Sequence, residues 1–185
     1  MEKKYKLTDE TINVGGKKLC RIEALKDFRD VKKGYKGGFI EDEHNLSHDG
    51  NSWVYGDAMV YGGAIVCGDA WVYGNARVYD GAMVCGGAWV FGNARVYGGA
   101  MVYGCARVCG DAEISTDADY IVFKNWWSSG RYFTWTRSND MWKVGCLYGT
   151  GEELIKKAYK DSELSGRQYE RIVKYVEEIN KENGK

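Results

Sequence analysis

The chain has 185 residues, with 26 basic and 26 acidic side chains, 25 glycines and no proline, and aromatic residues make up 14 % of it. A formal net charge of zero supplies no global field for long nucleic acid or an anionic membrane, and no apolar run approaches the roughly 18 residues of a membrane span. Glycine without proline, beside plentiful Tyr and Val, predicts many short strands turned at glycine corners rather than disorder.

The start, Met1-Glu2-Lys3-Lys4-Tyr5, leads into no apolar segment, so a cytoplasmic protein is expected. Tyr5–Thr8 and Thr11–Val14 read as short strands, Gly15-Gly16 as a turn, and Lys18–Leu25 as the returning strand of a hairpin. The basic stretch Lys32–Ile40 reads as a solvated loop. Residues 1–47 are assigned as a cap, because the first coil of a solenoid exposes unpaired edges and apolar interior.

From Trp53 to Ala118 one hexad, X-Val-Tyr-Gly-(Asp/Asn/Gly)-Ala, recurs eleven times. Stepping back in sixes from Val54 reaches His48, so the repeat domain is set at 48–118, with His48 in a Val-equivalent, structural place. Within each hexad the Ala and the Val lie two residues apart, on one face of a short strand, which makes that face the interior. The glycines between them supply the positive φ angles of a corner. At a spacing of eighteen the outward residues sort into three classes. Trp53, Trp71 and Trp89 recur with Tyr55, Tyr73 and Phe91. Met59, Arg77 and Arg95 recur with Tyr61, Tyr79 and Tyr97. Ile65, Met83 and Met101 recur with Cys67, Cys85 and Tyr103. Three hexads therefore make one coil, and eleven make nearly four.

These hexads resemble the hexapeptide repeat of left-handed parallel β-helices. The resemblance implies a mainly β fold with a triangular coil of left-handed sense, which the general rule for parallel crossovers would not predict. Many members of that family are acyltransferases with a His general base at a trimer interface. Here the two histidines, His44 and His48, precede the regular coils, and no loop interrupts 53–118. Two histidines are also too few for the three-His zinc site of the carbonic-anhydrase branch. Cys109 or Cys146 as a nucleophile has no evident base, and Cys67 with Cys85 lacks the company a metal needs. No catalytic residue, metal or cofactor is assigned. The six cysteines, at 20, 67, 85, 105, 109 and 146 with no Cys-x-x-Cys, are expected to be free thiols.

Three apolar faces far exceed what a soluble monomer exposes, so the ends of the chain, trimer mates or a partner must cover most of them. The Ile–Met–Cys face is expected to be permanently buried. The candidate binding surface is the Tyr61, Tyr79 and Tyr97 ladder with Arg77 and Arg95, because Tyr and Arg dominate interface hot spots. The second candidate is Trp53, Trp71 and Trp89 with Tyr55, Tyr73 and Phe91. Residues 46–118 hold three basic and seven acidic groups, which argues against a long nucleic acid, while a small nucleotide could stack on the rings.

Residues 119–185 form a small C-terminal module. Tyr120–Phe123 reads as a strand, Trp126–Gly130 as a turn, and Tyr132–Arg137 with Met141–Tyr148 as a hairpin that places Phe133 and Trp135 against Trp142, Val144 and Cys146. Thr150-Gly151-Glu152-Glu153 and Ser165-Gly166-Arg167-Gln168 read as capping boxes opening two helices. The stretch Val144–Thr150 resembles the short C-terminal module of repeat proteins of phage and prophage origin, which implies an accessory protein that binds a host factor, such as an inhibitor of a defence system. The expected function is thus non-catalytic binding of a protein partner in the cytoplasm of a bacterium or a phage-infected cell. A homotrimer is its possible assembly. The alternatives are an acyltransferase relative acting on a CoA or nucleotide-sugar substrate, and a trimeric sponge for a small nucleotide.

Overall fold

A computed structural model describes residues 2–182. The solenoid consists of eleven two-residue strands: β4 (Trp53–Val54), β5 (Met59–Val60), β6 (Ile65–Val66), β7 (Trp71–Val72), β8 (Arg77–Val78), β9 (Met83–Val84), β10 (Trp89–Val90), β11 (Arg95–Val96), β12 (Met101–Val102), β13 (Arg107–Val108) and β14 (Glu113–Ile114). They stack in parallel at the spacing of eighteen: β4-β7-β10-β13 on one side, β5-β8-β11-β14 on the second and β6-β9-β12 on the third. The chain is therefore a three-sided parallel β-solenoid of about four turns. Each coil is tied to the next by backbone bonds such as Tyr55 N–H to the Val72 carbonyl at 2.8 Å and Tyr73 N–H to the Val90 carbonyl at 3.0 Å.

Inside, every Val from Val54 to Val108, and Ile114 after them, is fully buried, and the intervening alanines from Ala58 to Ala112 are at most 2 % exposed. Each such Val contributes about 1.5 kcal/mol or more of apolar burial, and the stacked rungs leave no interior room for a ligand. At the corners Gly92, with φ of 73°, shows why glycine recurs: a Cβ there would come within 3.0 Å of the Gly110 nitrogen in the coil beyond. Asp80 takes the corner position with φ of 53°, a conformation that Asp tolerates better than most residues.

The N-terminal cap is a sheet. β1 (Tyr5–Val14) and β2 (Lys17–Ala24) form the expected hairpin, with a bulge between Leu7 and Thr11. Lys36–Ile40, expected in a loop, is instead strand β3, antiparallel to β2 and parallel to β5. Its two glycines allow close approach, since a Cβ on Gly37 would lie 2.5 Å from the Val54 carbonyl oxygen and one on Gly38 2.5 Å from that of Ala58. The second side of the solenoid thereby extends into one seven-stranded sheet, β1-β2-β3-β5-β8-β11-β14.

Around His48 the register differs from the simple count in sixes. Leu46 pairs with Val66, and Ser47 N–H bonds the Val66 carbonyl, whereas Asn51 N–H already bonds Gly68 in the regular phase. Leu46 thus holds the interior place, and His48 with Asp49 forms an insertion of two residues at the corner.

The backbone separates into two units. The first holds the residues up to Ile121 together with Thr136–Asn139, and the second holds Val122–Trp135 and the residues from Asp140 onward. The C-terminal sheet runs in the order β15 (Tyr120–Lys124), β16 (Tyr132–Thr136), β17 (Met141–Val144) and β18 (Leu147–Gly149). Met141–Tyr148, expected as one strand, folds back on itself at Gly145, whose φ is 53°; Phe133, Trp135 and Trp142 are buried while Cys146 sits exposed in the turn. Helix α1 (Gly151–Asp161) opens with the Thr150–Glu153 capping box. Helix α2 (Glu163–Glu182) starts earlier than expected, because Ser162 Oγ, not Ser165, accepts the first-turn N–H, that of Ser165, at 3.1 Å. Among the described residues no helix is long and apolar enough to cross a membrane.

Candidate functional site

The three faces of the solenoid differ in what covers them. On the first, Trp53 is fully buried beneath the cap, with Phe28 at 5.3 Å and Tyr5 at 6.1 Å between ring centres. Below it Trp71 stacks on Trp89 at 5.1 Å and Tyr73 on Phe91 at 4.7 Å, both nearly parallel. The Arg29 guanidinium lies 4.6 Å over Trp71, and that of Arg107 lies 4.5 Å over Trp89. Tyr55 donates to the Asp30 carboxylate at 3.2 Å, and burial followed by Asp30 pushes its phenol well above the ordinary range. What remains open is a shallow cavity of about 220 Å³ lined by Asp30, Tyr55, Trp71, Tyr73 and Trp89. Arg107 was legible as the rung eighteen residues after Trp89. Nothing in the pattern marked Arg29 and Asp30, which reach this face from the cap.

The second face carries the Tyr61–Tyr79–Tyr97 ladder. Its rings stack at 5.2 Å in both steps, tilted by 6° and 12°. Parallel strands in register set that separation, and the corner glycine after Tyr61 and Tyr97, with Asp80 after Tyr79, leaves the rings room to lie flat on each other. None of the three hydroxyls has a hydrogen-bond partner among the described residues. Burial raises the phenols of Tyr61 and Tyr79, with Arg77 acting in the opposite sense on Tyr61. Arg95 is exposed and reaches Glu113 at 3.3 Å, while Arg77 makes no ion pair among the described residues. Tyr61, Tyr79, Tyr97, Arg77 and Arg95 thus form one contiguous surface.

The third face is less covered than expected. Tyr120 donates to the Met101 carbonyl at 3.0 Å, yet Met101 stays 42 % and Tyr103 54 % exposed, so this chain alone does not bury the Ile–Met–Cys face.

His48 stacks on Tyr5 at 4.3 Å, its Nδ1 accepts the Lys4 N–H at 3.2 Å, and its Nε2 stands 3.6 Å from Glu43. That ring is held through its face and Nδ1 at the N-terminal edge of the solenoid, while its buried Nε2 has no hydrogen-bond partner among the described residues. None of the six cysteines is in a disulfide, and among the described residues no cluster of three His, Cys, Asp or Glu side chains is placed to hold a metal.

The repeats match the family model described as the YdcK beta solenoid repeat over residues 54–68, 70–86 and 88–104. The chain is 38 % identical over 76 residues, 36 % of its length, to a protein of Escherichia coli (strain K12) named as the uncharacterized acetyltransferase YdcK. The match spans 23 % of that relative. The three matched segments contain eight of the eleven strands whole, β5 to β12, with Val54 of β4, and the repeat region is a hexapeptide-type β-solenoid similar to that family's repeats.

Proposed function

We propose that the chain is a non-catalytic binding protein whose solenoid presents the Tyr61–Tyr79–Tyr97 ladder, with Arg77 and Arg95, to an acidic segment of a partner protein. One observation carries this reading: the ladder is flat and contiguous, and among the described residues its three hydroxyls and the Arg77 guanidinium have no hydrogen-bond or ion-pair partner. Rigid stacked tyrosines lose little side-chain entropy on docking, and guanidinium groups beside them match carboxylates. The finer form of the reading is an accessory factor that binds a host protein in the cytoplasm of a phage-infected cell, supported by the resemblance of Val144–Thr150. Self-association through the half-open Ile–Met–Cys face accompanies it, and light scattering reads it directly as a trimer.

The test is capture of a partner from bacterial lysate, its identification, and titration of the purified partner with wild-type protein and the triple variant Tyr61→Ala/Tyr79→Ala/Tyr97→Ala. Loss of about 2 kcal/mol or more of affinity is expected. Unchanged affinity excludes this face.

A second reading, an acetyltransferase acting on a CoA-linked substrate, is favoured by the name of the relative. Of its two histidines, His48 accepts the Lys4 N–H through Nδ1 and His44 is exposed, and neither is set beside a described pocket. Acetyl-CoA that raises the melting temperature and is turned over would replace the binding reading. A rise caused by cyclic nucleotides instead would favour the nucleotide sponge.

A further inference from the structure

The C-terminal unit encloses a cavity of about 440 Å³ that the solenoid's faces do not explain. It lies between the Asn125–Arg131 segment, the turn joining β17 to β18, and the facing ends of α1 and α2. Two cations stand on its wall, Arg131 and Lys157, and neither makes an ion pair among the described residues. Asp161, one helical turn after Lys157, is the single carboxylate lining it, so the charge balance favours an anion.

Asn125, Ser165 and Tyr169 are buried in its wall, while Arg131 and Lys157 reach it from the exposed surface. Arg131 lies across Gly145, where a Cβ would stand 3.0 Å from its Nη1 and 3.9 Å from its Cζ, and the glycine therefore makes room for the guanidinium. Asn125, 2 % exposed, accepts the Ser128 N–H at 3.0 Å and donates through Nδ2 to the Tyr169 hydroxyl at 3.0 Å. Tyr169, 6 % exposed, thus accepts with its oxygen and keeps its own hydrogen for a further acceptor. Ser165, 5 % exposed, also lines the cavity. Two cations without ion pairs and the unspent Tyr169 hydroxyl donor around one cavity are complementary to the oxygens of a phosphate monoester or a carboxylate.

We infer that this cavity is a binding site for a small organic oxyanion, a metabolite bearing a phosphate monoester or carboxylate group, independent of the solenoid's Tyr–Arg face. The cavity falls within the range of small-ligand pockets, and its two cations are separate point and fork donors suited to one anionic group and its neighbouring oxygens.

The experiment uses the full chain in buffered sodium chloride at fixed ionic strength, titrated with ribose 5-phosphate, citrate and inorganic phosphate and followed by calorimetry and thermal shift. At least one probe is expected to bind at millimolar concentration or below; preference for the sugar phosphate or for citrate tells which oxyanion the site takes. Arg131→Met and Lys157→Met are each expected to weaken binding by about tenfold, while Lys160→Met, on the exposed side of α1, leaves it within about twofold. Lys157 and Lys160 both stand on an exposed helix surface, so their variants keep the test valid even if Arg131→Met fails to fold. Absence of binding by all three probes, or equal affinity in Lys157→Met and wild type, overturns the inference.

Discussion

Lys4 offers the sharpest test of the energetics of the cap. It is 1 % exposed, and its ammonium donates to the Ser52 carbonyl at 2.9 Å, to Ser52 Oγ at 3.2 Å and to the Gly50 carbonyl at 3.4 Å. These acceptors are neutral, so they replace only part of the lost hydration. Burial lowers the Lys4 pKa from 10.5 to about 8, against the opposing pull of Asp49. Below pH 8 folded and unfolded chains both hold the proton, and the folded state bears the full cost of a buried ammonium. Between about 8 and 10.5 the unfolded chain binds that proton more tightly, so stability rises with pH. The whole gap corresponds to about 3 kcal/mol, of which about 1.5 kcal/mol falls between about pH 8 and 9.5. Above pH 10 the sign reverses, because burial holds the phenols of Tyr5 and Tyr55 well above the ordinary range and pushes those of Tyr73 and Tyr120 up to about 12, while the unfolded phenols ionise near 10. Urea unfolding followed by tryptophan fluorescence from pH 7 to pH 9.5 should show wild-type stability rising relative to Lys4→Met by that about 1.5 kcal/mol. Parallel curves for the two proteins would refute the assignment of the cost to the buried ammonium.

Three further outcomes are expected. Gly92→Ala and Gly99→Ala both place a side chain at positive φ, but only at Gly92 does the Cβ meet backbone, at 3.0 Å, so thermal melts should show Gly99→Ala costing about 1 kcal/mol and Gly92→Ala distinctly more. With a thiol reagent, exposed Cys105 and Cys146 should react first, Cys85 slowly because burial and then Cys67 push its thiol up, and Cys109, 4 % exposed, last; mass spectrometry of timed samples reads the order. Trp53→Ala should lose about 3–5 kcal/mol in denaturant titration, whereas Trp126→Ala, at a residue 79 % exposed, should leave the midpoint unchanged.

The coil was legible because its cause is local and repeated: Val and Ala two residues apart face inward, glycine follows at the corner, and like residues recur every eighteen positions. The misreadings fall where that periodicity stops. Gly37-Gly38 looks like a loop signal, yet these glycines permit β3 to press against the backbone of the first coil. Counting in sixes places His48 inside, because an insertion at a corner leaves no mark in composition; only the pairing of Leu46 with Val66 reveals it. Ser162 and Ser165 are equivalent as caps in one dimension, and the choice between them depends on where α1 ends. The candidate ladders were named from spacing alone. Their coverage was not legible, since Arg29 and Phe28 reach the first face from a loop with no repeat of its own.

The second face also poses a question that stacking does not answer. Aromatic pairs at about 5 Å contribute roughly 0.5–1.5 kcal/mol each beyond burial, and phenylalanine would stack in the same geometry. The three hydroxyls of Tyr61, Tyr79 and Tyr97 therefore add nothing to the fold: among the described residues they accept no bond and donate none, and desolvation beside neighbouring rings is a cost. On the first face Phe91 stands in the equivalent place on the third rung and stacks on Tyr73 at 4.7 Å, which shows that the coil accommodates the change. Triple replacement of the ladder tyrosines by phenylalanine should then leave the unfolding midpoint unchanged or slightly raised while abolishing the hydroxyl-dependent part of partner affinity, about 1 kcal/mol per bond. A marked loss of stability in that variant would mean that the hydroxyls serve the solenoid itself, and the case for this face as a docking surface would lose its foundation.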